Sequence, residues 1–195
     1  MKKGKCILIY NYDYPKLGLT LEGEFFISSI FTLQTEIKPK NKQDFLSYYG
    51  ENYLFSHGKI ESLIKKYNDI LFWDNELKKF QMENDKWMIR KTLITENNET
   101  YLSFPTWLFS LNKVYKLNFT QLYIIALIVS YFYDRKEFNW ANETIAGKLG
   151  MVSRSSMRIN INKLYNKGLI DIKPTNRTNI LYVTDKLLDY EHFAR

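Results

Sequence analysis

Asn142-Glu-Thr-Ile-Ala-Gly-Lys-Leu-Gly-Met-Val-Ser-Arg-Ser-Ser-Met-Arg-Ile-Asn-Ile-Asn-Lys-Leu-Tyr-Asn-Lys-Gly-Leu-Ile-Asp-Ile172 parses as a short helix, a tight turn at Gly150, a longer helix from Ser153 and a strand. That is a helix-turn-helix leading into a wing. Ile145, Ala146 and Leu149 share one face of the first helix, with Ala146 small enough to let two helices cross closely. Gly150 stands where a C-terminal cap needs positive φ. Ser153 is an N-cap, and Val152 before it faces Met157 as a hydrophobic staple. The second helix then buries Met157, Ile161 and Leu164 at i, i+4 and i+7 and is ended by Gly168. Leu169 to Ile172 begins a strand that Pro174 is expected to interrupt, so Lys173 to Asn179 reads as a hairpin loop before a returning strand, Ile180 to Thr184.

The Ala-x-x-Leu-Gly turn at Ala146 to Gly150, the Ser-x-x-x-Met register at Ser153 to Met157 and the Lys-Leu-x-x-x-Gly-Leu-Ile run at Lys163 to Ile170 resemble the winged-helix domains of bacterial regulators and of plasmid and phage replication initiators. Upstream, Tyr101-Leu-Ser-Phe-Pro-Thr-Trp-Leu-Phe109 and Leu117-Asn-Phe-Thr120 look like the entry to the initiator version. The resemblance covers about half of the chain. It implies a DNA-binding fold, with a mobile element as the setting. The initiators usually carry a further domain after the winged helix, whereas this sequence ends within a dozen residues of its wing, which favours regulation or accessory binding slightly over initiation.

Composition fits that expectation. The 195 residues are enough to bury roughly 70% of the unfolded surface, as one large domain or two small ones. Net charge is +7 with a pI near 9.2, which permits a polyanionic partner without requiring one. Residues 1–100 hold 15 basic and 14 acidic side chains, residues 101–195 hold 13 and 7, so the excess lies in the half with the helix-turn-helix. Lys148, Arg154, Arg158, Lys163, Lys167, Lys173 and Arg177 all fall in the motif and wing. The aromatic content of 16% is explained more simply by an aromatic-rich core than by base-stacking platforms.

A repeat is visible at an offset of 100. Lys16-Leu-Gly-Leu-Thr20 returns as Lys116-Leu-Asn-Phe-Thr120, each Thr placed to cap an apolar helix, Leu21 to Leu33 and Gln121 to Tyr133. Lys42 to Gly50 lies over Asn142 to Gly150. Past the turn the offset falls to 97, setting Ser56 over Ser153 and Ile60 over Met157, with Ile70 to Trp73 and Trp87 to Lys91 as the strands of a longer, more acidic wing. The fold expected is therefore α+β, mainly helical, with two tandem winged helix-turn-helix domains over residues 1–98 and 99–195; the alternative is an unrelated α+β domain over residues 1–100. Near the junction Glu96-Asn-Asn-Glu99 reads as a polar turn, and Pro105 as the first residue of a short helix through Phe109.

Chemistry concentrates on the second helix. Guanidinium forks match guanine O6 and N7 in a major groove, which makes Arg154, Arg158 and Asn162 candidates for base edges and Ile159 for a thymine methyl. Ser155, Ser156 and Lys163 suit phosphates, with Lys173, Asn176 and Arg177 contacting the backbone or minor groove from the wing. The plain alternative is a solvated charged face. In the first copy His57, Lys59, Lys65 and Lys66 are opposed by Glu61 and Asp69, and Tyr48, Tyr49, Tyr53 and Phe55 suggest a protein-packing surface.

Catalytic arrangements are missing from the sequence. The glycine and Lys spacing at Gly50 to Lys59 is wrong for a phosphate loop, and the carboxylate pairs Glu22/Glu24 and Asp74/Glu76 have ordinary surface spacing. Cys6 is the single cysteine, and with His57 and His192 it makes no metal motif. No signal peptide or membrane segment is evident. The sequence thus points to a cytoplasmic, sequence-specific double-stranded DNA-binding protein, neither enzyme nor cofactor carrier, a transcriptional regulator or origin-binding replication protein able to form a homodimer. The alternative function is a winged-helix interaction module, an inhibitor or adaptor of a host factor.

Overall fold

The computed structural model of the chain describes residues 6–10, 20–33, 46–47, 49–50, 55–67, 73–74, 79–80, 82–83, 86–87, 101–135, 138, 141–149, 153–175 and 178–193. Over these the protein is mainly helical with short antiparallel strands, an α+β chain. It divides into two compact units, one of Met1–Cys6, Asp13–Leu21 and Leu102–Arg195, the other of Ile7–Tyr12 and Glu22–Tyr101. No helix among the described residues is long and apolar enough to cross a membrane.

The unit dominated by the second half is built on an apolar helix. Strand β6 (Tyr101–Pro105) and α3 (Trp107–Tyr115) lead into α4 (Phe119–Arg135), every residue of which from Leu122 to Val129 is buried. A helix apolar all round belongs in a core, and here Phe104 seals it, meeting Phe109 at 5.7 Å and Tyr123 edge-on at 5.4 Å. Two details differ from expectation. Pro105 closes β6 rather than opening the helix, which starts at Trp107. The cap of α4 is Asn118, not Thr120: Asn118 N–H donates to Gln121 Oε1 at 3.0 Å and Gln121 N–H returns to Asn118 Oδ1 at 2.9 Å. This reciprocal box satisfies two orphan donors of the first turn, and Thr120 is simply a first-turn residue.

Helices α5 (Asn142–Lys148) and α6 (Arg154–Asn166) follow. Ile145 and Leu149 are buried while Ala146 is only half-buried. Gly150, Met151 and Val152, and with them the proposed turn and staple, lie outside the described residues. Ser153 caps α6 as expected, its Oγ accepting from Ser156 N–H at 3.3 Å. Met157, Ile161 and Leu164 are buried, worth roughly 1.5–3 kcal/mol each. The helix ends in a Schellman turn, with Gly168 N–H to Tyr165 O at 2.8 Å and Leu169 N–H to Leu164 O at 3.1 Å. Gly168 holds φ at +68°, where a side chain costs about 1 kcal/mol or more. A Cβ at this position would meet nothing closer than Lys186 Nζ at 3.7 Å, so Gly168→Ala is expected to lower stability by about that strain alone, seen as a small drop in the thermal midpoint without loss of the folded signal.

The hairpin β7 (Ile170–Pro174) and β8 (Asn179–Val183) pairs from Ile170↔Val183 to Pro174↔Asn179. Pro174 therefore does not interrupt the strand; it is its last ladder residue. Among the described residues β8 is the only strand paired with β7, so a missing N–H is tolerated on its other side, and the interval between the paired strands shortens to 175–178. Thr175 closes that turn through its N–H to Thr178 O at 2.9 Å and its Oγ1 from Thr178 N–H at 3.0 Å. Phe138 adds a third rung beside β8, exchanging both hydrogen bonds with Leu181. A final helix, α7 (Asp185–Phe193), packs Leu187 into the core.

In the other unit, β1 (Cys6–Tyr10) and α1 (Leu21–Leu33) precede α2 (His57–Lys66), and Leu46, Ser47, Tyr49 and Gly50 are helical between them. Gly50 thus sits within helix rather than at a left-handed cap. The expected single wing is instead two separate two-residue ladders, β2 (Trp73–Asp74) with β3 (Lys79–Phe80) and β4 (Met82–Glu83) with β5 (Lys86–Trp87). Residues 70–72 and 88–99 lie outside the described residues. Tyr49 and Phe55, read from sequence as surface aromatics, are buried: Phe26 meets Tyr49 edge-on at 5.3 Å and Phe25 stacks on Phe55 at 6.2 Å. Glu24 is likewise buried, not on the surface as its spacing from Glu22 implied.

Candidate functional site

Helix α6 has two chemically opposite faces. One faces the core through Met157, Asn160, Ile161 and Leu164; the other presents Arg154, Ser155, Arg158, Ile159, Asn162 and Lys163, all exposed. Those exposed positions recur at three- and four-residue spacing and so form a single stripe. Ile159 is 54% exposed, a branched apolar side chain with no core to enter. No acidic residue occurs anywhere in α6, and its first turn holds Arg154 where the helix dipole favours a carboxylate. The N-terminal end adds hydroxyls: Ser153 Oγ and Ser155 Oγ are 3.1 Å apart, and Ser156 is half-buried.

The hairpin turn stands beside this helix end. A shallow cleft of about 190 Å³ is lined by Ala141, Asn142 and Glu143 at the start of α5, Arg154 at the start of α6, and Thr175, Thr178 and Asn179 of the hairpin. Within it Arg154 Nε lies 2.7 Å from Glu143 Oε1, both side chains largely open to solvent. Lys173 is exposed on β7. Asn176 and Arg177, the remaining wing residues expected to contact a partner, lie outside the described residues. No protein-family model, curated protein or solved structure matches the chain.

Asn160 of α6 and Lys167 just after it have duties that the sequence did not reveal. Asn160 is buried, its Nδ2 donating to Ser156 O at 2.9 Å and its Oδ1 accepting from Asn118 Nδ2 at 3.0 Å. The exposed stripe is thereby tied to the cap of α4. Lys167, one of the cations that fall in the motif, donates from Nζ to Tyr115 O at 2.7 Å. Lys186 extends this contact, bonding Lys167 O at 2.8 Å and lying 4.9 Å over the Tyr115 ring. The outward positive charge of α6 is thus Arg154, Arg158 and Lys163.

Helix α2 of the other unit is a weaker candidate. Ser56 caps α2 by accepting from Lys59 N–H at 3.2 Å, and His57, Lys65 and Lys66 are exposed. Lys59, however, is paired with Glu22 at 2.5 Å, and Glu61 is exposed on the same helix.

Proposed function

We propose that the protein binds double-stranded DNA in a sequence-specific manner, using a winged helix-turn-helix formed by α5, α6 and the β7–β8 hairpin. The observation that carries this is the solvent face of α6, which combines guanidinium, amide, hydroxyl and one branched apolar group with no carboxylate. These are the donors and the apolar contact that a major groove can use. Arg154, Arg158 and Asn162 take base edges, Ile159 a thymine methyl, Ser155, Ser156 and Lys163 phosphates, and Lys173 with Asn176 and Arg177 the flanking backbone. A regulator or an origin-binding replication protein of a mobile element uses such a surface.

Residues of the first half form a second, related helix-turn-helix. In its support, Ser56 and Ser153 each bond the N–H three residues on, and the buried sets Ile60, Leu63, Ile64, Tyr67 and Met157, Asn160, Ile161, Leu164 occupy the same four positions after the cap. That copy has no arginine on α2, so the reading is assigned to α6.

Titration of binding to a random duplex against salt tests the proposal. Neutralising phosphates releases counterions, about 0.9 per contact, so three to five contacts give a log–log slope of roughly −3 to −4.5. A flat response would assign the surface to a protein partner. Selection from a random duplex library should then return an enriched site.

A further inference from the structure

We infer that Glu143 is a positioning residue for base recognition, fixing Arg154 so that it reads a guanine end-on; this rests on α6 being the reading helix. A guanidinium can pair with guanine O6 and N7 through either of two edges, the one using Nε or the one using both terminal nitrogens. Here the Nε–H is taken, at 2.7 Å, by Glu143 Oε1. The side-on edge is therefore occupied, which leaves the edge of the two terminal nitrogens to face a base. The acceptor on Nε favours one plane of the fork before any partner arrives.

The pair is placed for this purpose and poorly placed for stability. Arg154 side chain is 76% exposed and Glu143 52%, so the bond is in the range where ion pairs contribute little to folding. Glu143 sits in the first turn of α5, where the dipole favours it. It also stands in the cleft between α5, α6 and the hairpin turn, the side from which a duplex lying on α6 would be approached by the wing. Its charge repels phosphate, so a carboxylate beside the reading helix lowers affinity for every sequence alike unless it contributes to selection.

The experiment uses the full chain with Glu143→Ala, Glu143→Gln and Arg154→Ala, each first checked for an unchanged thermal midpoint, and binding to the wild-type selected site with all four base pairs substituted at every position. Glu143→Ala is expected to relax preference by about tenfold at the one position that Arg154→Ala also relaxes. Glu143→Gln, which keeps an acceptor oxygen without charge, should hold that preference to within about twofold while raising affinity for all duplexes. The double variant Glu143→Ala/Arg154→Ala should lose no more at that position than Arg154→Ala alone. If Glu143→Ala leaves the profile unaltered, or raises affinity uniformly without changing any position, the inference is overturned and Glu143 is only a charge. A wild-type protein that enriches no site at all overturns the DNA proposal itself, a distinct result.

Discussion

Replacing Arg154 or Arg158 by Ala is expected to cost about 1–3 kcal/mol of specific DNA binding each, the size of a lost bidentate base contact. Both side chains leave the exposed stripe of α6, so truncation removes donors without opening a cavity and folding should be unaffected. The loss should be confined to the cognate duplex, because base contacts vanish when the bases are wrong. Lys163→Ala is the contrast: as a phosphate contact it should weaken cognate and scrambled duplexes equally and reduce the salt slope by about 1. Competition binding on both duplexes measures this. Arginine variants that keep wild-type discrimination would remove α6 from the role of reader.

Gly23→Ala should destabilise the protein by about 1–2 kcal/mol, against the sign that helix propensity predicts. Gly23 lies inside α1, where alanine is ordinarily better by about 1 kcal/mol. A Cβ there, however, would fall within 2.6 Å of Tyr67 Cε2 and closer still to Cζ and Oη. The ring cannot swing away freely, since Tyr67 is buried and its N–H is bonded to Leu63 O at 2.9 Å. Overpacking of this kind costs about 1–3 kcal/mol or more, which outweighs the propensity gain. For a chain of this size the thermal midpoint should fall by about 2–8 °C. In a Tyr67→Ala background the same substitution should become neutral or stabilising, since the obstacle is gone. A rise in midpoint from Gly23→Ala alone would show that α1 and Tyr67 are not in close contact.

The local rules read α6 well and the distant ones not at all. Ser153, the i, i+4, i+7 spacing of Met157, Ile161 and Leu164, and Gly168 act within one helix, and each has its expected place. Asn160 could not be recognised as buried, because the group that satisfies it, Asn118, is 42 residues earlier. The inward bond of Lys167 is hidden for the same reason, its acceptor Tyr115 O being 52 residues away. Pro174 was misjudged because whether a strand has one neighbour or two is a property of the sheet, not of the dipeptide. Tyr49 and Phe55 show the limit for aromatics: the pattern marks them as contact-forming, and only Phe25 and Phe26 decide that the contact is internal. With both rings buried, the surface that suggested a homodimer through the first half no longer includes them. For the candidate site, the exposed residues of α6 were legible, whereas the Glu143–Arg154 pair was not, since it joins two separate helices.

The bond from Asn118 to Asn160 has a kinetic corollary. It couples the cap of the apolar helix to the middle of the exposed one, so α6 cannot roll on its axis without breaking that bond. A duplex would therefore meet a surface that is already formed. If the chain binds DNA as proposed, association is expected to need no folding of α6 in the encounter complex, leaving its rate to diffusion, to the orientational search and to the steering pull of Arg154, Arg158 and Lys163.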